Sequence, residues 1–466
     1  MPLRRFEIKG PVALTVNHGK QSQKLEQGTE IALRASMGGL SSITINNAPL
    51  VFVGFGVTAP ERRWDDFKGV DLKGKLAIVL INDPDVDAGE GDFGGKAMTY
   101  YGRWTYKFEE MARRGALGTL IVHETGPASY GWPTVKNSNT IVMYDIVRKE
   151  PHKANATVEA WIQRDLASSL FKRAGLDFDA ARKLAASRDF MPVELPGVTV
   201  SAKYAVDTQL IKSSNVVGLR RGSERPNEYL MYSAHWDHLG VGLPDARGDR
   251  IYNGAVDNGT GLAVLLEMAR AFGSQRGPKR SVIFMSTTAE EKGLLGAEYY
   301  ASNPLYPLAS TVGMINMDTL DPESIARNFT IAGNAKVDLL DMLVAKAKQK
   351  GVAYLPDPRP EAGTFFRNDH FPLAKRGVPA ISFKTGNDLV DGGVAEGKAW
   401  RDIYTSERYH QPSDQWSETW SFAGLVRDME VLHDLGADLA NSSVWPNWAQ
   451  DSEFRAVRDA TAAQRR

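Results

Sequence analysis

From about residue 195 onward the chain alternates short apolar runs with amphipathic ones, and several apolar runs stop on a histidine or an acid. "NEYLMYSA" leads into His235 and Asp237, "SVIFMSTTA" into Glu290 and Glu291, and "GMINM" into Asp318. Between them, "TGLAVLLEMARAF" places Leu262, Leu265, Leu266 and Ala269 along one helical face, directly after Asp257 in "GAVDNGTG". Further on, "KVDLLDMLVAKAKQKG" reads as a helix, "VPAISF" as a strand and "FAGLVRDMEVLHDLGADLAN" as a long closing helix. Alternation of this kind predicts an α/β fold with a mostly parallel central sheet and helices on both faces. Such a sheet presents functional groups just past the carboxyl ends of its strands, where these residues fall.

The first half has another texture. Residues 1–45 read as short strands, as in "FEIKGPVALTV" and "EIALRAS", and are assigned to the N-terminal part of the same domain. Residues 46–190 carry two strand candidates, "KGKLAIVLIND" and "LGTLIVHE", around the helix candidate "RWTYKFEEMARRGA". They read as a smaller inserted α+β module, with the aromatic run "MTYYGRWTYKF" as core and helix face. Residues 191–445 form the main domain, and 446–466 read as a polar C-terminal tail.

Composition narrows the chemistry. Lys plus Arg and Asp plus Glu each number 56, so no net field favours nucleic acid. No apolar run approaches the roughly 20 residues that span a bilayer, and "MPLRRFEIKG" has no apolar h-region of a signal peptide. There is no cysteine, which removes thiolate nucleophiles and thiolate metal sites together. Any metal must be held by His, Asp and Glu.

A single strand-terminal acid commonly caps the next helix; ligand-type residues at four strand ends of one sheet point to a site instead. Imidazole and carboxylate donors suit hard or borderline divalent ions. Two ions roughly 3.5–4 Å apart can share a carboxylate, acidify a water and polarise a carbonyl. The adjacent Glu290 and Glu291 suit a division of labour, one as ligand and one as free base.

"SAHWDHLG", "DNGTG", "TTAEEKGLLGAEYY", "NMD" and "YHQPSD", in this order, resemble the zinc exopeptidase family that includes bacterial leucyl aminopeptidases and glutamate carboxypeptidase. The likeness covers roughly 195–440, and the inserted module resembles the protease-associated domain that many members carry. The resemblance implies two Zn²⁺ ions, with His235 and Asp318 on the first, Glu291 and His410 on the second, and Asp257 bridging both. It implies Glu290 as general base, Asp237 orienting the ring of His235, Tyr409 donating to the oxyanion, and a cis peptide after Asp257. His238 has no ligand place in that pattern, and His370 is expected in a structural hydrogen bond. The implied substrate is a peptide cut at its end, by an aminopeptidase or else a carboxypeptidase or dipeptidase, in a periplasmic or secreted setting. A receptor-like binding protein without working metals and a glutaminyl cyclase, a single-zinc transferase, share the scaffold. Retention of all five ligand positions and Glu290 argues against the first, and His235 together with the inserted module against the second.

Overall fold

The computed structural model describes residues 1–88, 91–242, 244–274 and 277–465. It divides into two compact units, Pro2–Lys212 with Arg359–Gly363, and Ser213–Pro358 with Thr364–Arg466 and Met1.

The smaller unit is built on a nine-stranded sheet. Its long strands are β1 (Pro2–His18), β2 (Ser42–Phe52) and β6 (Val193–Lys212). Between β2 and β6 in the chain come β3 (Leu76–Leu80), β4 (Gly118–His123) and β5 (Val158–Gln163). Residues 1–45, expected from sequence to belong to the main domain, do not join it. β1 instead pairs antiparallel with β6 from Pro2↔Lys212 to His18↔Val198. The boundaries at 45 and 190 therefore give way to one at 212, because two long strands satisfy each other's backbone groups and cannot be divided between units. The fold of this unit also departs from a segregated α+β arrangement. β2, β3, β4 and β5 run parallel to one another, and α1 (Trp104–Arg113) lies between β3 and β4 in the chain. A parallel connection needs such a crossover. β3 is buried on both faces: Leu76, Ile78 and Leu80 enter one core while Ala77 and Val79 enter another. Tyr101, Tyr106 and Phe108 are buried in these cores, in keeping with the reading of the aromatic run as core.

The larger unit carries a seven-stranded sheet. Its strands are β7 (Val216–Arg220), β8 (Arg225–His235), β9 (Arg280–Thr287), β10 (Thr311–Met317), β11 (Asn328–Ile331), β12 (Ala353–Tyr354) and β13 (Ala380–Thr385). The spatial order is β7-β9-β8-β10-β13-β11-β12. The four central strands, β9, β8, β10 and β13, are mutually parallel, so their carboxyl ends share one edge. Successive residues of a strand face opposite sides, and β8 shows what covers each. Tyr232 is fully buried, and its hydroxyl donates to the Leu432 carbonyl of α4 (Ala423–Asn441) at 2.8 Å. On the other face, a buried polar ladder runs from Ser233 to Asn316 to Ser382 to Asn368.

Two stretches were not legible beforehand. Residues 446–465 are no free tail: Trp448, Phe454 and Arg458 are buried, and the Arg458 guanidinium donates to the Thr311 carbonyl at 3.0 Å. A few large anchors within a polar run produce no periodic signal. The helix Gly393–Ile403 and the wide turn Tyr404–Arg408 also went unread, because their apolar residues are sparse. Among the described residues no helix is long and apolar enough to cross a membrane.

Close packing of α4 on β8 yields a test. A Cβ added at Gly436 would collide with the Tyr232 hydroxyl. Gly436→Ala should destabilise by about 1–3 kcal/mol through overpacking. In Gly436→Ala/Tyr232→Phe the loss should be less than additive, as denaturant titration of the set would show.

Candidate metal centre

The centre is assembled at the shared carboxyl edge of β8, β9 and β10. His235, the last residue of β8, pairs across the sheet with Thr287, the last of β9. The chain then turns through Ala289, at a left-handed φ of 54°, into Glu290 and Glu291. Asp318 follows β10 directly. Asp257 sits in the wide helical turn Ala255–Thr260 that opens α2 (Gly261–Ser274), and its peptide bond to Asn258 is cis.

The turn carrying Asp257 is held from both sides. Asp414 is fully buried, and its two carboxylate oxygens accept the backbone N–H groups of Val256 and Asp257, each at 3.0 Å. The Asn258 side chain donates to the Met317 carbonyl at 3.0 Å and accepts the N–H groups of Gly261 and Thr319. Asp257 is thereby tied to the end of the strand that delivers Asp318.

The five expected ligands converge. His235 Nε2 lies 3.2 Å from Asp257 Oδ1 and 3.4 Å from Asp318 Oδ1. His410 Nε2 lies 3.4 Å from Asp257 Oδ2 and 3.1 Å from Glu291 Oε2. Asp257 thus offers one oxygen to each of two groups, the geometry demanded of a bridge. The donors are imidazole and carboxylate alone, and the buried His410 Nε2 and Glu291 Oε1 make no hydrogen bond in the protein. Two such groups, His235/Asp257/Asp318 and His238/Asp257/Glu291, have donor atoms close enough to hold a cation each. The residues present fit a pair of divalent ions.

Electrostatics agree with the geometry. Burial works against ionising Glu291, but His238 and His410 beside it hold its carboxyl down at about 2. Asp318 is likewise buried yet held well below the usual range by Lys384, His235 and the Thr319 hydroxyl. The Lys384 ammonium donates to the Asp318 carbonyl at 2.6 Å. Glu290 behaves oppositely: burial pushes its carboxyl well up, reinforced by Asp369, Asp318 and Glu291, against the pull of His235. Adjacent glutamates therefore have divergent proton affinities, the pattern that separates a ligand from a proton carrier.

Two assignments change. Asp237 orients His235 through its backbone carbonyl, 2.9 Å from Nδ1, and not through its carboxylate, whose nearer oxygen is 3.8 Å away. That carboxylate accepts the backbone N–H of Glu290 at 3.1 Å and of Glu291 at 3.4 Å, so it fixes the turn bearing both glutamates. His238, which has no ligand place in the family pattern, places Nδ1 2.7 Å from Glu291 Oε1. His370 is fully buried but neither ring nitrogen has a hydrogen-bond partner; its ring packs edge-on against Phe365 with centroids 4.5 Å apart.

Tyr409 stacks on His410, with ring centroids 3.9 Å apart. It is 42% exposed as a residue, while its phenol is held neutral by local burial and by the Asp257, Glu291, Glu290 and Asp318 carboxylates. The segment carrying Tyr409 and His410 is pinned by Glu323. Its carboxylate accepts from Trp400 Nε1 at 3.0 Å, Arg408 at 3.0 Å and Trp420 Nε1 at 3.1 Å.

Residues 215–430 match the model of peptidase family M28, a span that contains every residue of the centre. Over that stretch the chain is similar to peptidase family M28. A "Probable zinc metalloprotease" of Pyrenophora teres f. teres is 34% identical over 137 residues, covering 26% of this chain and 29% of that protein. "Aminopeptidase NAALADL1" of Mus musculus is 33% identical over 147 residues, 30% of this chain and 18% of that protein. The matched stretch thus spans less than a third of these curated relatives. Among solved structures, an aminopeptidase from Aneurinibacillus sp. strain AM-1 aligns over 96% of this chain and 84% of its own, with 18% identity and a TM-score of 0.49.

Within the M28 stretch, Asp414 and Lys384 support the centre although sequence reasoning gave them no role. Asp414 lies in the same "YHQPSD" run as His410, a signal that could have been followed. Asp414→Asn leaves one oxygen for two buried N–H donors. It should lower stability by about 1–3 kcal/mol, the cost of an unsatisfied buried group, as chemical denaturation at neutral pH would show.

Proposed function

We propose that this chain is a dizinc exopeptidase, an aminopeptidase, which hydrolyses the terminal bond of peptides. The observation that carries the reading is the division of the Asp257 carboxylate between two donor groups. His235 and Asp318 would hold the first ion, Glu291 and His410 the second, and Asp257 both. When bound, the ions supply Lewis acidity for a peptide carbonyl and lower the pKa of water.

The remaining chemistry falls to side chains. Glu290, raised in proton affinity, takes a proton from the attacking water and delivers it to the leaving amine. Asp237 keeps Glu290 in place through its backbone N–H. The neutral phenol of Tyr409 donates to the carbonyl oxygen as negative charge develops on it. Similarity to a curated relative named an aminopeptidase, 33% identical over 147 residues, supports the aminopeptidase reading over a carboxypeptidase.

Glu290→Gln should cut kcat by roughly 10²–10⁴-fold, the usual contribution of general acid–base catalysis, with two zinc ions retained by elemental analysis. Glu291→Gln should lose zinc as well as activity. More than about a tenth of wild-type rate in Glu290→Gln would exclude it as the proton carrier. Aminoacyl substrates should be cleaved and their N-acetylated counterparts spared; cleavage of both alike would overturn the aminopeptidase assignment.

A further inference from the structure

His238 is the residue of this region that the two-ion scheme leaves unused. Its side chain is only 6% exposed, and neither ring nitrogen makes a hydrogen bond in the protein. An imidazole buried without partners costs free energy, so such a ring usually answers to something. Nδ1 lies 2.7 Å from Glu291 Oε1, yet the pair does not align as a hydrogen bond, and Oε1 is equally unpartnered. His410 Nε2 shows the same combination, 3.1 Å from Glu291 Oε2 and without a hydrogen bond. The two rings meet edge to face, with centroids 5.5 Å apart. Donors that share a cation aim at the cation and not at each other. At metal–donor distances of about 2.0–2.2 Å they stand within about 3.5 Å of one another, as each imidazole nitrogen does of its Glu291 oxygen.

The backbone is shaped to receive this ring. Gly254 has a φ of 65°, and a Cβ there would lie 2.6 Å from His238 Cγ. The glycine thus admits the imidazole against the turn that carries Asp257. One donor atom each from His238, Asp257 and Glu291 falls within 4.8 Å of the others.

We propose that His238 is a direct ligand of the second ion, through Nδ1, giving that position four protein residues: His238, Asp257, Glu291 and His410. The first position keeps His235, Asp257 and Asp318. This rests on the two-ion reading above.

Metal-free full-length protein titrated with Co²⁺, followed by its visible absorption, tests the assignment. Wild type should take up two ions in distinguishable steps; uptake of one ion only would defeat the two-ion reading itself. His238→Ala and His238→Asn should both bind the first ion as wild type does, which also reports a folded site. Both should bind the second at least about 100-fold more weakly, beyond the roughly 10–100-fold typical of residues that merely support a ligand. The visible band of the second ion should change in intensity as a nitrogen donor is lost. Asparagine can still donate a hydrogen bond to Glu291, so wild-type affinity in His238→Asn would reduce His238 to a prop for that carboxylate and overturn the proposal. A loss below about 100-fold in His238→Ala, or an unchanged second band, would overturn it as well.

Discussion

Everything in the candidate centre depends on one carboxylate being shared. Asp257 can face His235 with one oxygen and His410 with the other only if its backbone is fixed more tightly than its side chain could manage alone. Asp414 supplies that fixation by accepting two consecutive N–H groups of the turn. Asn258 supplies the rest, by bonding to the chain on either side of Asp318. The parallel sheet does the coarse work, since β8, β9 and β10 must end in step for residues of three strands to meet.

How much of this the sequence disclosed follows a physical line. His235, Glu291 and Asp318 were legible because strand ends in a parallel sheet are positions that apolar runs announce. Asp257 and His410 were legible through the resemblance of their motifs. Contacts made by polar groups across long separations were not. The partner of the Asp237 carboxylate is a turn more than fifty residues away, and the sequence "HWDH" suggested the adjacent ring instead. Equally, the alternation in Pro2–His18 predicted a strand but could not say that its mate is Val193–Lys212.

Burial without periodicity defeated the remaining expectations. Trp448 and Arg458 are each about 1% exposed within a run that reads as polar overall. The Arg458 guanidinium reaches the carbonyl of Thr311, at the start of the strand that leads to Asp318. A core built from a few large anchors is visible only once the surface they cover is known.

The two halves of the centre are mounted differently. His235 is 2% exposed and belongs to a central strand, whereas the His410 side chain is 35% exposed, has a left-handed φ of 59°, and follows a segment pinned by Glu323. Proteins open locally at free energies far below that of global unfolding, and segments with few buried apolar contacts open first. Amide hydrogens around residues 404–410 will thus exchange through a shallower opening than those of β8. One donor, His410, occupies a lower rung of the molecule's stability ladder, able to come and go while the sheet beneath stays closed.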